Sequence, residues 1–286
     1  MIPFFQFITV QIGPLTLYVW GFFVALGIVV AMIIGGREAR LRGLSRDVFF
    51  DFGTWGVVGG LIGGRLLYVL AYAPSVSAFL KNPLMILEIW KGGMSSMGGF
   101  IGAALAIGIF CAIRKVHFME YAQVAAYALP CGYGIGRIGC FLIHDHPGTL
   151  SNSLLAVKYP GGARLDHGLL LSIFGFLLFA AFWLLRWRRG GAKGGQEFPL
   201  FLIAYGAARF LLDFYRAWDL PIIDARYFGL TPAQYVGAVA VVLGVYFLHK
   251  RPKRVWIFRF SKNQKRVGHG SACYAHRMVM SRRQHL

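Results

Sequence analysis

Three arginines lie inside stretches of this sequence that are otherwise apolar: Arg65, Arg137 and Arg209. A guanidinium offers five N–H donors in a rigid, always-charged fork, so its natural counterpart is a carboxylate or a phosphate. In an apolar medium it costs from about 2.5 to more than 10 kcal/mol unless a partner or a wet cavity receives it. Arg209 has a partner within its own segment. Asp213 follows it by four residues and Arg216 comes three later, so one helix face carries an Arg–Asp–Arg ladder. Asp213 either neutralises buried charge or holds one guanidinium while its other donors serve an anionic substrate. Arg137 sits in a run with Gly132, Gly134, Gly136 and Gly139, just before Cys140. The G-x-G-x-x-G spacing within that run lacks the strand–turn–helix setting a dinucleotide site requires. A broken or tightly packed helix, in which backbone N–H groups and the guanidinium share an anion, fits better.

Arg65 closes a second glycine stretch. Gly56, Gly60 and Gly64 recur every four residues, as do Gly59 and Gly63, which gives smooth ridges for close helix approach. Arg65 either pairs with a neighbouring helix or contacts a lipid phosphate. The groups able to move a proton are His144 and His146, which flank Asp145. In an extended loop an H-x-H pair points to one side. An imidazole of ordinary pKa, about 6.5, is a competent general base near neutrality. A metal seat with His167 as a third ligand is a weaker reading, and plain solvated loop histidines are the bland one. No metal or other cofactor is expected. Cys111, Cys131, Cys140 and Cys273 form no CxxC pair, so neither a disulfide framework nor a zinc site is indicated.

These residues have to be positioned by membrane helices. Of the 286 residues 57% are hydrophobic and 14% charged, with mean hydropathy +0.58. Soluble domains carry about 25% charged residues, so disorder and an ordinary cytosolic enzyme are both excluded. About 20 mostly apolar residues cross a bilayer as a helix. Seven stretches qualify: Leu15–Ile34, Phe49–Tyr72, Ser96–Ile113, Ala122–Ile143, Gly168–Leu185, Phe198–Tyr215 and Pro232–Leu248. The expected fold is an all-α polytopic membrane protein, and its first span is read as a permanent anchor rather than a cleaved leader. Lys and Arg divide 21 to 6 between the two sets of connecting segments, which predicts the N-terminus outside and the C-terminus in the cytoplasm. The net charge of +19 is therefore mostly topological and does not signal nucleic acid. Residues 1–248 form the expected membrane body. Residues 249–286 form a basic tail, expected to be mobile and to meet anionic inner-leaflet lipid.

Four segments, in order, resemble one family, the prolipoprotein diacylglyceryl transferases of bacterial inner membranes. Gly63 to Leu70 is similar to the family's GGRLGYVL. Trp90 to Gly99 is similar to W-x-GGMS-x-HGG. Gly136 to Gly139 matches the start of GR-x-GNF-x-N-x-E, and Arg209 to Arg216 is similar to R-x-x-x-E-x-x-R. The departures are Met97 for the family's His, Cys140 for Asn, His144-Asp145-His146 in place of the N-x-E continuation, Asp213 for Glu, and Trp20 for a frequent Tyr. The resemblance implies transfer of the diacylglyceryl group of phosphatidylglycerol to a lipobox cysteine thiol of a prolipoprotein, with release of glycerol 1-phosphate. It further implies that Arg137 and Arg209 hold the leaving phosphate, with Arg65 in reserve, and that Gly98, Gly99 and Asp213 belong to the substrate site. His144 or His146 would replace the missing base. A divergent member that only binds or transports lipid is the alternative.

Overall fold

The computed structural model describes residues 1–71, 93–191, 195–220 and 226–250. Seven helices among them are long and apolar enough to cross a membrane. They are α1 (Val19–Leu41), α2 (Arg46–Ala71), α3 (Ser96–Arg114), α4 (Phe118–Ile143), α5 (His167–Arg188), α6 (Glu197–Leu212) and α7 (Pro232–His249). The chain is a multi-pass membrane protein of the expected helical class. The tail beyond Lys250 and the loop bearing Lys81 and Lys91 lie outside the described residues.

The first span differs from its expected limits. Leu15–Tyr18 is not helical but forms a strand, β3, paired antiparallel with β2 (Thr9–Ile12). Helix α1 instead continues past Ile34 to Leu41 and takes Arg37, Glu38 and Arg40 into its last turns. The bundle also carries a small sheet that periodicity did not announce: β1 (Ile2–Pro3), β4 (Pro147–Leu150), β5 (Val157–Tyr159) and β6 (Gly162–Asp166), in the order β1-β5-β6-β4. These strands are too short for a two-residue alternation to stand out. The backbone joins the sheet to the helix ends beside it, through Phe7 N–H to Leu142 O and His167 N–H to His146 O.

Glycine sets how the helices approach. A Cβ on Gly27 of α1 would overlap the carbonyl oxygen of Gly132 in α4, and one on Gly132 would overlap that of Gly27. The same reciprocal contact joins Gly63 of α2 to Gly98 of α3, and Gly59 to Gly102. Only backbones without side chains can meet this closely, and in lipid such packing replaces the hydrophobic drive that water supplies elsewhere. Helices α1 with α4 and α2 with α3 are two such tight pairs, and Gly206 of α6 with Gly237 of α7 makes a third. Helix α4 runs unbroken through Pro130 and the glycine run, so tight packing rather than a break is what those glycines serve.

At the end of the bundle away from the sheet, a buried ionic cluster ties three helices. Arg42 Nε donates to Glu38 Oε1 at 2.8 Å, and its Nη1 lies 3.4 Å from Glu197 Oε2. Arg186 from α5 bonds the other oxygen of Glu38 and covers the Tyr127 ring. Glu38 is 1% exposed. Two cations and two anions close on one another.

Candidate functional site

A cavity of about 910 Å³ opens beside the glycine-packed pairs, with walls from α1, α2, α3, α4, α6 and α7. Its charged and thiol groups come from two stretches of the sequence. Helix α4 supplies Arg137 and Cys140, and the chain just beyond it supplies Asp145 and His146. Helix α6 and the turn after it supply Arg209, Asp213 and Arg216.

Each charge has a defined surrounding. The Arg137 guanidinium stands 5.0 Å from the Tyr133 ring centre, and its Nη1 is 3.7 Å from Cys140 Sγ. Arg209 Nη1 pairs with Asp213 Oδ1 at 2.9 Å, while Asp213 Oδ2 accepts the Thr231 hydroxyl at 2.5 Å. Asp213 is fully buried; Oδ2 is hydrogen-bonded, while Oδ1 meets Arg209 as an ion pair without hydrogen-bond geometry. The ladder does not stay on one helix face, because α6 ends at Leu212 and a 3₁₀ turn, Asp213–Tyr215, follows. Arg216 is extended there, bridges Gly148 of β4 through its backbone, and brings Nη2 to 3.2 Å from His146 Nδ1. Three guanidiniums thus share the cavity with two carboxylates, one of them held by Arg209. Such an excess of positive charge in a largely apolar cleft is what a single phosphate oxyanion can complement.

Asp145 and His146 lie just outside the spanning segment. Burial pushes the Asp145 carboxyl up to about 6, against the opposing pull of Arg137. The His146 imidazolium is disfavoured down to about 3, first by burial and then by Arg216 and Arg137. His146 is therefore neutral at any physiological pH, which replaces the ordinary value expected from sequence. His146 Nδ1 lies between two partners, 2.8 Å from the Asp145 carbonyl oxygen, which can only accept, and 3.2 Å from Arg216 Nη2, which can only donate. Nε2 is 3.6 Å from Asp145 Oδ2.

The two histidines separate. The extended H-x-H geometry fails because His144 caps α4 in the left-handed region, φ 51°, which swings its ring away from that of His146. His144 is not among the residues lining the cavity. Its Nδ1 meets Asp166 Oδ2 at 2.7 Å, Tyr159 donates to the same oxygen at 2.6 Å, and Phe4, Phe5 and Phe141 surround the ring. It fastens the sheet to α4 and has no access to a substrate thiol. Arg65 does not line the cavity either, since its Nη1 donates to Gly93 O at 2.9 Å. Gly98 serves the α2–α3 contact, whereas Gly99 does reach the cavity wall. Among the described residues no group of three or more His, Cys, Asp or Glu is placed to hold a metal.

Sequence reasoning left Arg216, Asp145 and Tyr133 outside the site. The three-residue step from Asp213 to Arg216 was the available signal for the first. The Tyr133 hydroxyl, which no pattern marks, is buried on the cavity wall.

All four family-like segments contribute to this one wall: Tyr68, then Met94, Met97 and Gly99, then Gly136, Arg137 and Cys140, then Arg209, Asp213 and Arg216. The model of a family described as prolipoprotein diacylglyceryl transferase matches residues 7–250. The chain belongs to the prolipoprotein diacylglyceryl transferase family. Relatives named phosphatidylglycerol–prolipoprotein diacylglyceryl transferase, from Burkholderia mallei, Burkholderia pseudomallei and Burkholderia thailandensis, are each 30% identical over 295 aligned residues, covering 90% of this chain and 96% of theirs. Within a transferase family chain, Met97 on the cavity wall is a consequential departure, because a thioether cannot take a proton at neutral pH. Asp145 and His146 are the titratable groups on that wall outside the spans.

Proposed function

We propose that the chain transfers the diacylglyceryl group of phosphatidylglycerol to the lipobox cysteine of prolipoproteins, in a bacterial inner membrane, with the N-terminus outside and the C-terminus cytoplasmic. The observation that carries this reading is the cluster of Arg137, Arg209 and Arg216 on one cavity wall beside a neutral imidazole. Arg137 and Arg209 hold the lipid phosphate and stabilise the charge that grows on its oxygen as the glycerol carbon–oxygen bond breaks. Preorganised donors do this at no reorganisation cost in a site that excludes water. The substrate thiol attacks as thiolate, and its proton goes to the neutral His146 imidazole.

With a value near 3, His146 is a weak base before lipid binds. Two of the causes are the Arg216 and Arg137 charges, and an anionic phosphate seated on them offsets that repulsion. Base strength is thus restored by the lipid itself, and the reaction takes lipid before thiol. Asp145, ionised above about pH 6, adds a negative charge beside Nε2. The basic tail's partner is anionic inner-leaflet lipid, and nucleic acid is not a partner. Reporter fusions test the orientation: Arg42 and Arg189 should report cytoplasm and Pro160 the outer side.

The catalytic test uses purified protein, phosphatidylglycerol vesicles and a peptide with a single lipobox cysteine. Thioether formation with stoichiometric glycerol 1-phosphate is the expected result. Met97 favours one rival, a family member that holds the lipid without turning it over. Saturable phosphatidylglycerol binding with no thioether would establish that rival instead.

A further inference from the structure

One nucleophilic group on the cavity wall has no part in the chemistry above: the thiol of Cys140. It is 5% exposed, lines the cavity, and has Arg137 Nη1 3.7 Å from its sulfur. Cys111 and Cys131 are also free but do not line the cavity. A second observation marks the same wall as a ligand site. The Tyr133 hydroxyl is buried there with no hydrogen-bond acceptor among the described residues, beside a guanidinium that stands over its own ring. A donor held out of water without an acceptor is costly and is relieved by an incoming anion. Cation, orphan hydroxyl and thiol therefore share one small region of the wall.

We propose that Cys140 is a covalent modification site inside an anion-binding cavity, that its ligands are small thiol-reactive anions, and that lipid phosphate competes with them. The inference rests on the phosphate-site part of the proposed function and not on turnover. The step with an alkyl methanethiosulfonate is a simple exchange. The Cys140 thiolate attacks the sulfenyl sulfur, a protein–reagent disulfide forms, the sulfur–sulfonyl bond breaks, and methanesulfinate leaves. The thiol proton passes to solvent or to the neutral His146 imidazole. Arg137 supplies the counter-charge for the thiolate and draws the anionic reagent inward.

The experiment treats wild-type protein in micelles with sulfonatoethyl methanethiosulfonate, an anion, and with its trimethylammonium counterpart, a cation. Mass spectrometry follows each cysteine separately. At Cys140 the anion should react about 10-fold faster than the cation. A thiolate in open water prefers the cation, so the order is inverted by the site. Micelles containing phosphatidylglycerol should slow Cys140 and leave Cys111 unchanged, whereas neutral phosphatidylcholine should slow neither. Inorganic phosphate forms a third arm, and protection by it as strong as that by lipid identifies a free-phosphate site. In Arg137→Gln the preference for the anion should disappear. A faster cation at Cys140, equal rates with and without every phosphate source, or a Cys140 that reacts only after unfolding in dodecyl sulfate would each overturn the proposal. If the labelling pattern holds while no lipobox thioether forms, the anion site stands and transfer fails. If transfer proceeds but Cys140 lacks the pattern, the reverse is true.

Discussion

Two clusters in this molecule both set arginines against carboxylates, and they differ in charge balance and in room. Away from the sheet, Glu38, Arg42, Arg186 and Glu197 join α1, α5 and α6 with equal numbers of each charge. In the cavity, Arg137, Arg209 and Arg216 outnumber Asp145 and Asp213 and face open volume. The first cluster balances its own charge, so an added anion there meets no net positive charge. The second is left one positive charge in excess even with both carboxylates ionised, with space beside it. Neither arginine content nor burial tells a rivet from a receptor. The balance of charge and the presence of room do.

The comparison is broken most directly at Arg137. Arg137→Ala should lower the transferase rate about 10²- to 10³-fold, the usual cost of one preorganised donor, with little change in the unfolding midpoint. Arg137→Lys should lose nearly as much, because the point charge lacks the fork. An unchanged rate in either folded variant would remove the phosphate assignment. Glu38→Gln should do the reverse. It strips the shared partner from Arg42 and Arg186 and should cost about 3–5 kcal/mol in denaturant unfolding, while turnover per folded molecule stays near wild type. A catalytic loss without destabilisation would mean the two clusters are not distinct.

The pH dependence sharpens the contrast further. With its carboxyl near 6, Asp145 is protonated and uncharged below that pH, so the rate should fall as pH drops through about 6. Asp145→Asn should flatten this acid limb, and His146→Gln should lower the rate at every pH without moving the limb. If the limb survives Asp145→Asn, another group owns it. The smallest effect belongs to Asp51→Asn. Arg114 and Asp51 pair at 2.7 Å but remain 53% and 47% exposed, so the loss should stay under about 0.5 kcal/mol.

Sequence carried the spans well because apolar length in a bilayer is a one-dimensional property. It also carried Arg137 and Arg209, since a charge inside such a length is conspicuous by itself. It could not distinguish His144 from His146, two residues apart in sequence, because one left-handed backbone angle sends the first under the sheet and leaves the second in the cavity. Nor could it find the closed ionic cluster, since Glu38 and Arg186 are separated by 148 residues and each looks like ordinary interfacial charge alone. Arg65 and Gly98 resemble site residues in pattern but do not line the cavity; Arg65 donates to Gly93 O, and Gly98 meets Gly63 backbone to backbone.

The reciprocal contact of Gly27 with Gly132 has a consequence for how the protein is made. Helix α1 finds its tightest partner in α4, 105 residues later in the chain. At about 5–20 residues per second, the ribosome reaches that partner roughly 5–20 s after α1 has left it. During this interval α2 and α3, neighbours in the chain, can dock through their own glycines as a hairpin. Biogenesis therefore delivers a finished hairpin and a waiting first helix, and the cavity is enclosed only when the late arrival of α4 clasps α1. A bulky residue at Gly132 should leave an inserted but unclasped chain, the form that membrane quality-control proteases remove.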